Sequence, residues 1–192
     1  MVGGKLKRFS NWLQRVANGW VALSALVIFL LFSVMVLPGQ ASKADTQTGK
    51  TGSPDMSFYY SAGDLYHFAE VYGEQGREAY VRTRFTFDVI WPLVYTLFLT
   101  TTISWVNTRA FAPDSGWQRA NLIPVLALVF DYMENLTTSL VMLRYPDRTA
   151  VIDSLAPVFT LLKWVFIFGS FVLLFAGVVA GVWQWYKGKS KT

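Results

Sequence analysis

The 192-residue chain contains no cysteine and a single histidine, His67. Without thiols there is no disulfide framework, no thiolate metal site and no cysteine nucleophile. One imidazole cannot build a His-based metal cluster within one chain, so no metal is expected. A cofactor motif is missing as well, and none is expected to bind: the "GKT" at 49–51 lacks the other glycine of a P-loop, because position 44 is Ala. Charge is the other scarcity. Residues 16–37 carry none, the stretch from about 85 to 106 carries only Asp88, and that from about 154 to 186 carries only Lys163. Nearly all remaining charge sits in the short segments between, which is the patterning of a membrane protein.

What is abundant is apolar sequence, 53% of the chain. It falls into four stretches, at about 16–37, 85–106, 120–143 and 154–186. Each has roughly the 20 residues that cross about 30 Å of hydrocarbon at about 1.5 Å per residue. The expected fold is all-α: a single membrane domain over 1–192 built as an integral membrane four-helix bundle in a lipid bilayer.

The net charge of +5 does not point to nucleic acid, because of where the cations lie. Lys5, Lys7, Arg8 and Arg15 precede the first span, Arg109 and Arg119 separate the second from the third, and Lys187, Lys189 and Lys191 follow the fourth. The segments 38–84 and 144–153 balance their bases with acids. Lys and Arg near span ends mark the cytoplasmic side, which places both termini inside a membrane read as a bacterial inner membrane. A basic start, an apolar run and "GQA" before Ser42 also imitate a secretory signal. The run is longer than such a signal needs, so a retained span is expected; cleavage of 1–41 is the alternative and would leave three spans.

Between the first two spans, about 38–56 is rich in Ser, Thr, Gly and small polar residues and reads as a flexible linker. From about 61 to 84 the pattern becomes helical. Ser61 with Asp64 three residues on resembles a helix start, and Leu65, Phe68, Ala69 and Tyr72 form one apolar stripe. Gly73 is expected to end this helix, and a second to run from about Glu74 directly into the second span. These short amphipathic helices are expected on the outer membrane surface. His67 lies off the stripe and reads as a surface residue. Pro92 is far enough into its span to kink it.

The acids and the lysine inside the spans are the candidate site. An ionised group near a bilayer centre costs about 2.5 to 3.5 kcal/mol on insertion scales, so such groups face the bundle interior and find partners. Asp131, Glu134, Asn135 and Thr138 recur at i, i+3, i+4 and i+7, one helix face. Asp88 and Tyr95 share a face of the second span, and Thr160, Lys163 and Ser170 a face of the fourth. With this topology Glu134, Asn135 and Lys163 all lie roughly 12 to 14 Å from the outer surface, Asp88 about one turn in, and Asp131 about one turn deeper. The expected cluster is Asp88, Tyr95, Asp131, Glu134, Asn135 and Lys163, with Arg84 and Arg144 at the rim able to reach in. Gly177 and Gly181 form a small-xxx-small pair suited to close packing, within the chain or in a homodimer.

The set "RFTFDVIWPLVYTLF" (84–98), "FDYMENLTTSLVMLRYP" (130–146) and "TLLKW" (160–164) resembles small, mostly bacterial four-span integral membrane proteins of unassigned activity. The resemblance implies fold and membrane location and transfers no catalytic residue. Four functions fit the residues. The cluster is a purely structural polar lock; it is a site for binding or transport of a lipid headgroup, a small molecule or a proton; it is the centre of a lipid-modifying enzyme with Asp131 or Glu134 as base; or the chain is a subunit beside a membrane partner protein. No Ser-His pair names a reaction, which weighs against the enzyme.

Overall fold

A computed structural model describes residues 2–47 and 52–189. Their regular elements are helices: α1 (Val2–Val16), α2 (Gly19–Leu31), α3 (Leu37–Gln47), α4 (Ala62–Arg84), α5 (Phe87–Ala110), α6 (Ile123–Arg144) and α7 (Ile152–Lys189). A π-helical turn, Phe32–Val36, joins α2 to α3, and 3-10 turns occupy Pro54–Met56 and Gly116–Leu122. The "GKT" at 49–51 lies outside the described residues.

Four helical runs are long and apolar enough to cross a membrane: Gly19–Thr46, Ala62–Ala110, Gly116–Arg144 and Ile152–Lys187. Their exposure supports the same reading. Only 11% of the most apolar window of the first and last runs is buried, against 56% and 44% in the middle two. Val34, Met35, Val172 and Phe175 stand largely exposed. A water-soluble protein rarely leaves such contiguous apolar surface open, whereas lipid covers it at no cost.

The helix starts have local causes. Asn18 separates α1 from α2 and its Oδ1 accepts the Val21 N–H at 3.0 Å, a side-chain cap on the new helix. Ser61 and Asp64 form a full capping box at the start of α4: the Ser61 Oγ accepts the Asp64 N–H at 3.1 Å and the Asp64 carboxylate accepts the Ser61 N–H at 2.8 Å. Those bonds, from the Ser61 backbone first and its hydroxyl second, hold the Asp64 carboxyl below its ordinary value. The box therefore stabilises the helix above the ordinary carboxylate range and is lost as pH falls through the lowered value.

Two expectations are corrected. The segment from 38 to 47 is helix, not linker: it continues the run Gly19–Thr46 past the π-helical turn Phe32–Val36, which lies just before Pro38, and Gln40, Ala41, Lys43 and Ala44 are good helix formers. The first apolar helix is thus longer than its apolar core. Gly73 does break α4, at φ 62° and ψ −177°, as expected of glycine, but the following helix does not run straight into the second span. It stops at Phe85, with φ −95° and ψ 5°, and α5 restarts at Phe87. The apolar stripe of α4 is packed on protein. Leu65, Ala69 and Tyr72 pack in one core with Tyr60, Tyr66, Tyr80, Val141, Met142 and Ala156, so the stripe covers residues of α6 and α7. At Pro92 α5 continues as one helix.

The chain forms two compact units. The first comprises Met1–Leu30, Val94–Leu126 and Phe166–Thr192; the second comprises Leu31–Leu93 and Ala127–Val165. The first holds nine Lys and Arg against one acid, Asp114, and the second eight against eleven.

Candidate functional site

In the second unit, α6 presents the expected face. Asp131, Glu134, Asn135 and Thr138 are buried, while Met133, Leu136 and Leu140 on the opposite side are exposed. Glu134 has 0% of its surface accessible, and Lys163 of α7 meets it with Nζ at 2.5 Å from Oε2. Its other oxygen, Oε1, is buried with no hydrogen-bond partner among the described residues. An ion pair with so little access to water survives only by mutual neutralisation, since either charge alone would be left in a low-dielectric surround.

Beside this pair, Asn135 joins two helices. Its Nδ2 donates to Asp131 Oδ1 at 3.2 Å within α6 and to the Asp88 carbonyl at 3.4 Å on α5. Asp88 in turn takes Arg84 Nη1 at 2.8 Å, one helical turn back across the α4–α5 junction. Arg84 is buried, and its guanidinium lies 4.3 Å over the Tyr80 ring. The rim cation expected to reach inward is thus Arg84. Arg144 does not: it is exposed at the end of α6. The pause at Phe85 gives this arrangement its geometry, because Arg84 and Asp88 remain one turn apart on either side of it.

The segment before α4 closes over α7. Tyr60 accepts a hydrogen bond from Thr160 Oγ1 at 3.1 Å, and Trp164 Nε1 donates to the Ser57 carbonyl at 3.1 Å. Tyr72 donates to the Gly52 carbonyl at 2.6 Å. A fourth buried acid in this unit, Asp153, was not anticipated; it accepts Tyr66 Oη at 3.3 Å, and Tyr66 Oη also accepts the Thr149 N–H at 2.6 Å. His67 is exposed, as expected.

Tyr95 is buried and belongs to the first unit. That unit has its own polar network, which sequence reasoning missed. Gln118 Nε2 donates to the carbonyls of Asn107, Phe111 and Ala112 at 3.1, 3.0 and 3.2 Å, closing the C-terminal end of α5. Asn107 Nδ2 returns a bond to the Trp117 carbonyl at 2.7 Å. Asn121 Nδ2 donates to Ser104 Oγ at 2.9 Å, and its Oδ1 accepts Ser10 Oγ at 2.8 Å. The only signal in the sequence was Ser104 and Asn107 inside an apolar run. Their partners lie in a turn and in α1, more than 100 residues away in the case of Ser10 and Asn121.

Gly177 and Gly181 also work within this unit. A Cβ at Gly177 would stand 2.6 Å from Asn107 Oδ1, and one at Gly181 would stand 3.7 Å from Ala110 Cβ. The glycine pair therefore serves the approach of α7 to α5 within the chain. Two clefts, both in this unit, are lined by Trp105, Arg109, Gly181 and Trp185 and by Trp117, Arg119, Ile123 and Leu173; neither contains a residue of the ion-paired network.

Among the described residues no group of three or more His, Cys, Asp and Glu side chains is arranged to hold a metal ion. Comparison with protein-family models, curated proteins and solved structures returned no match.

Proposed function

We propose that this is an integral protein of a bacterial inner membrane that binds a small cationic species, with the proton as its smallest form, at the buried face of α6. Charge balance carries the reading. The buried charged side chains of the second unit are Asp88, Asp131, Glu134 and Asp153 against Arg84 and Lys163. Within the network itself three carboxylates face two cations, and an apolar surround favours taking up one further positive charge. The buried Oε1 of Glu134, without a hydrogen-bond partner among the described residues, adds an acceptor. The resemblance to small bacterial four-span proteins supports the location, and the excess of basic residues in the first unit supports placing that unit at the cytoplasmic side.

A second reading, the polar lock, is favoured by the direct Lys163–Glu134 contact and by Asn135 bridging α5 and α6. Thermal unfolding of the purified protein separates the two. The wild type is scanned in matched sodium, potassium, choline and ethanolamine buffers and across neutral pH. On the binding reading at least one of these raises the midpoint, and Asp131→Asn abolishes the rise. A wild-type midpoint indifferent to every cation and to pH leaves the lock.

A further inference from the structure

α1 is amphipathic in an unusual orientation. Leu6, Phe9, Leu13 and Val16 follow helical spacing on one side, with Trp12 at its margin. In a helix packed on a protein core, that stripe would face inward. Here the polar edge does. Ser10 is 1% exposed, with its Oγ within reach of Asn121 Oδ1 at 2.8 Å and the Gln118 carbonyl at 3.2 Å. Asn121 Nδ2 donates back to the Ser10 carbonyl at 3.2 Å, and Gln14 Nε2 to the Gln118 carbonyl at 2.7 Å. The apolar stripe is left outside: Leu6 is 50% exposed, Phe9 41%, Trp12 51% and Val16 47%. Lys5, Lys7, Arg8 and Arg15 are exposed too, and α1 contains no acid.

We infer that α1 is a docking helix for an anionic lipid surface, bolted by its Ser10–Gln14 edge to the Gly116–Leu122 turn, with its aromatic stripe in the acyl boundary and its cations at headgroup phosphates. Charge selects this occupant. Four cations and no acid complement an anionic leaflet, and α1 belongs to the unit that holds nine basic residues and one acid. A second copy of the helix would bring the same four cations and repel. Position agrees, because α1 ends two residues before α2, the start of the first candidate span. The hydrogen bonds fix which side of the helix can turn toward the bilayer. The inference rests on the membrane reading but not on the cation site of α6.

The chain has no native cysteine, which makes the test direct. Full-length Phe9→Cys and Asn11→Cys proteins are spin-labelled in phosphatidylcholine vesicles with and without phosphatidylglycerol, with vesicle flotation confirming incorporation. With phosphatidylglycerol present, the label at position 9 is expected to be reached by oxygen and shielded from a water-soluble nickel chelate, and the label at 11 to behave oppositely. Omitting phosphatidylglycerol, or adding Arg8→Gln and Arg15→Gln, should reduce the shielding at position 9 several-fold. Free access of the chelate to position 9 in both lipids overturns the inference. So does spin–spin broadening at position 9 between two copies, which would make the stripe a protein interface. Failure of the cation-dependent unfolding with shielding intact would remove only the α6 proposal.

Discussion

Glu134 is the residue on which the second unit turns, because its charge is offset by Lys163 at 2.5 Å and its whole surface is hidden. The pair is a weak source of net stability, since burying two ions costs about what their attraction returns, yet losing one partner strands the other. Lys163→Met is accordingly expected to destabilise by about 3 to 5 kcal/mol. Glu134→Gln added to it removes the stranded charge and should restore a large part of the loss. Unfolding of the two variants and the wild type in detergent checks this, and strictly additive damage would mean the residues are not energetic partners. The pairing was readable from the sequence because depth and rotation are both periodic properties. A position along a span gives depth, and the i, i+3, i+4 spacing gives the face. Arg84 was harder to place, since whether a rim cation reaches in depends on a break at Phe85 that no glycine or proline announces.

The elements were legible where periodicity and caps agree, and less so where long-range partners decide. The four spans, the Ser61 start and the Gly73 break could all be read locally. α1 was not legible as a helix of its own, because the residues before the first span stand out only by their charge, and the polar network closing α5 depends on contacts distant in the chain. The glycine pair in α7 shows the limit of a motif: spacing announces close packing but not against what. The contacts now make a graded prediction. A Cβ at Gly177 meets Asn107 Oδ1 at 2.6 Å and Val106 Cγ1 at 3.0 Å, and Asn107 cannot retreat without releasing the Trp117 carbonyl. Gly177→Ala should therefore cost about 1 to 3 kcal/mol, the usual range for overpacking. Gly181→Ala meets only Ala110 Cβ at ordinary contact distance and gains helix propensity, up to about 1 kcal/mol. Equal effects of the two substitutions on the unfolding midpoint would contradict this account of the α5–α7 approach.

For the whole molecule the decisive quantity is how charge divides between the two units. Nine basic residues against one acid in the unit holding both termini and the α5–α6 turn, and eight against eleven in the other, is the asymmetry that orients membrane proteins. Insertion machinery counts Lys and Arg near span ends and gives acids little weight, so the clearest contrast is at the flanks. Arg109 and Arg119 frame the α5–α6 turn, and the four cations of α1 precede the first span. The turn and the end of α3 should then lie on opposite sides of the bilayer, the turn in the cytoplasm. Single cysteines at Thr46 and Asp114, both exposed and both outside the ion-paired network, report on this without disturbing it. An impermeant maleimide applied to intact spheroplasts should label Thr46→Cys fully, and Asp114→Cys only after lysis. The reverse pattern would invert the protein and put the α1 helix against the wrong leaflet. Equal labelling of both in intact spheroplasts would mean that the α4–α5 run between them does not cross, and the membrane reading of the second unit's buried charges would fall with it.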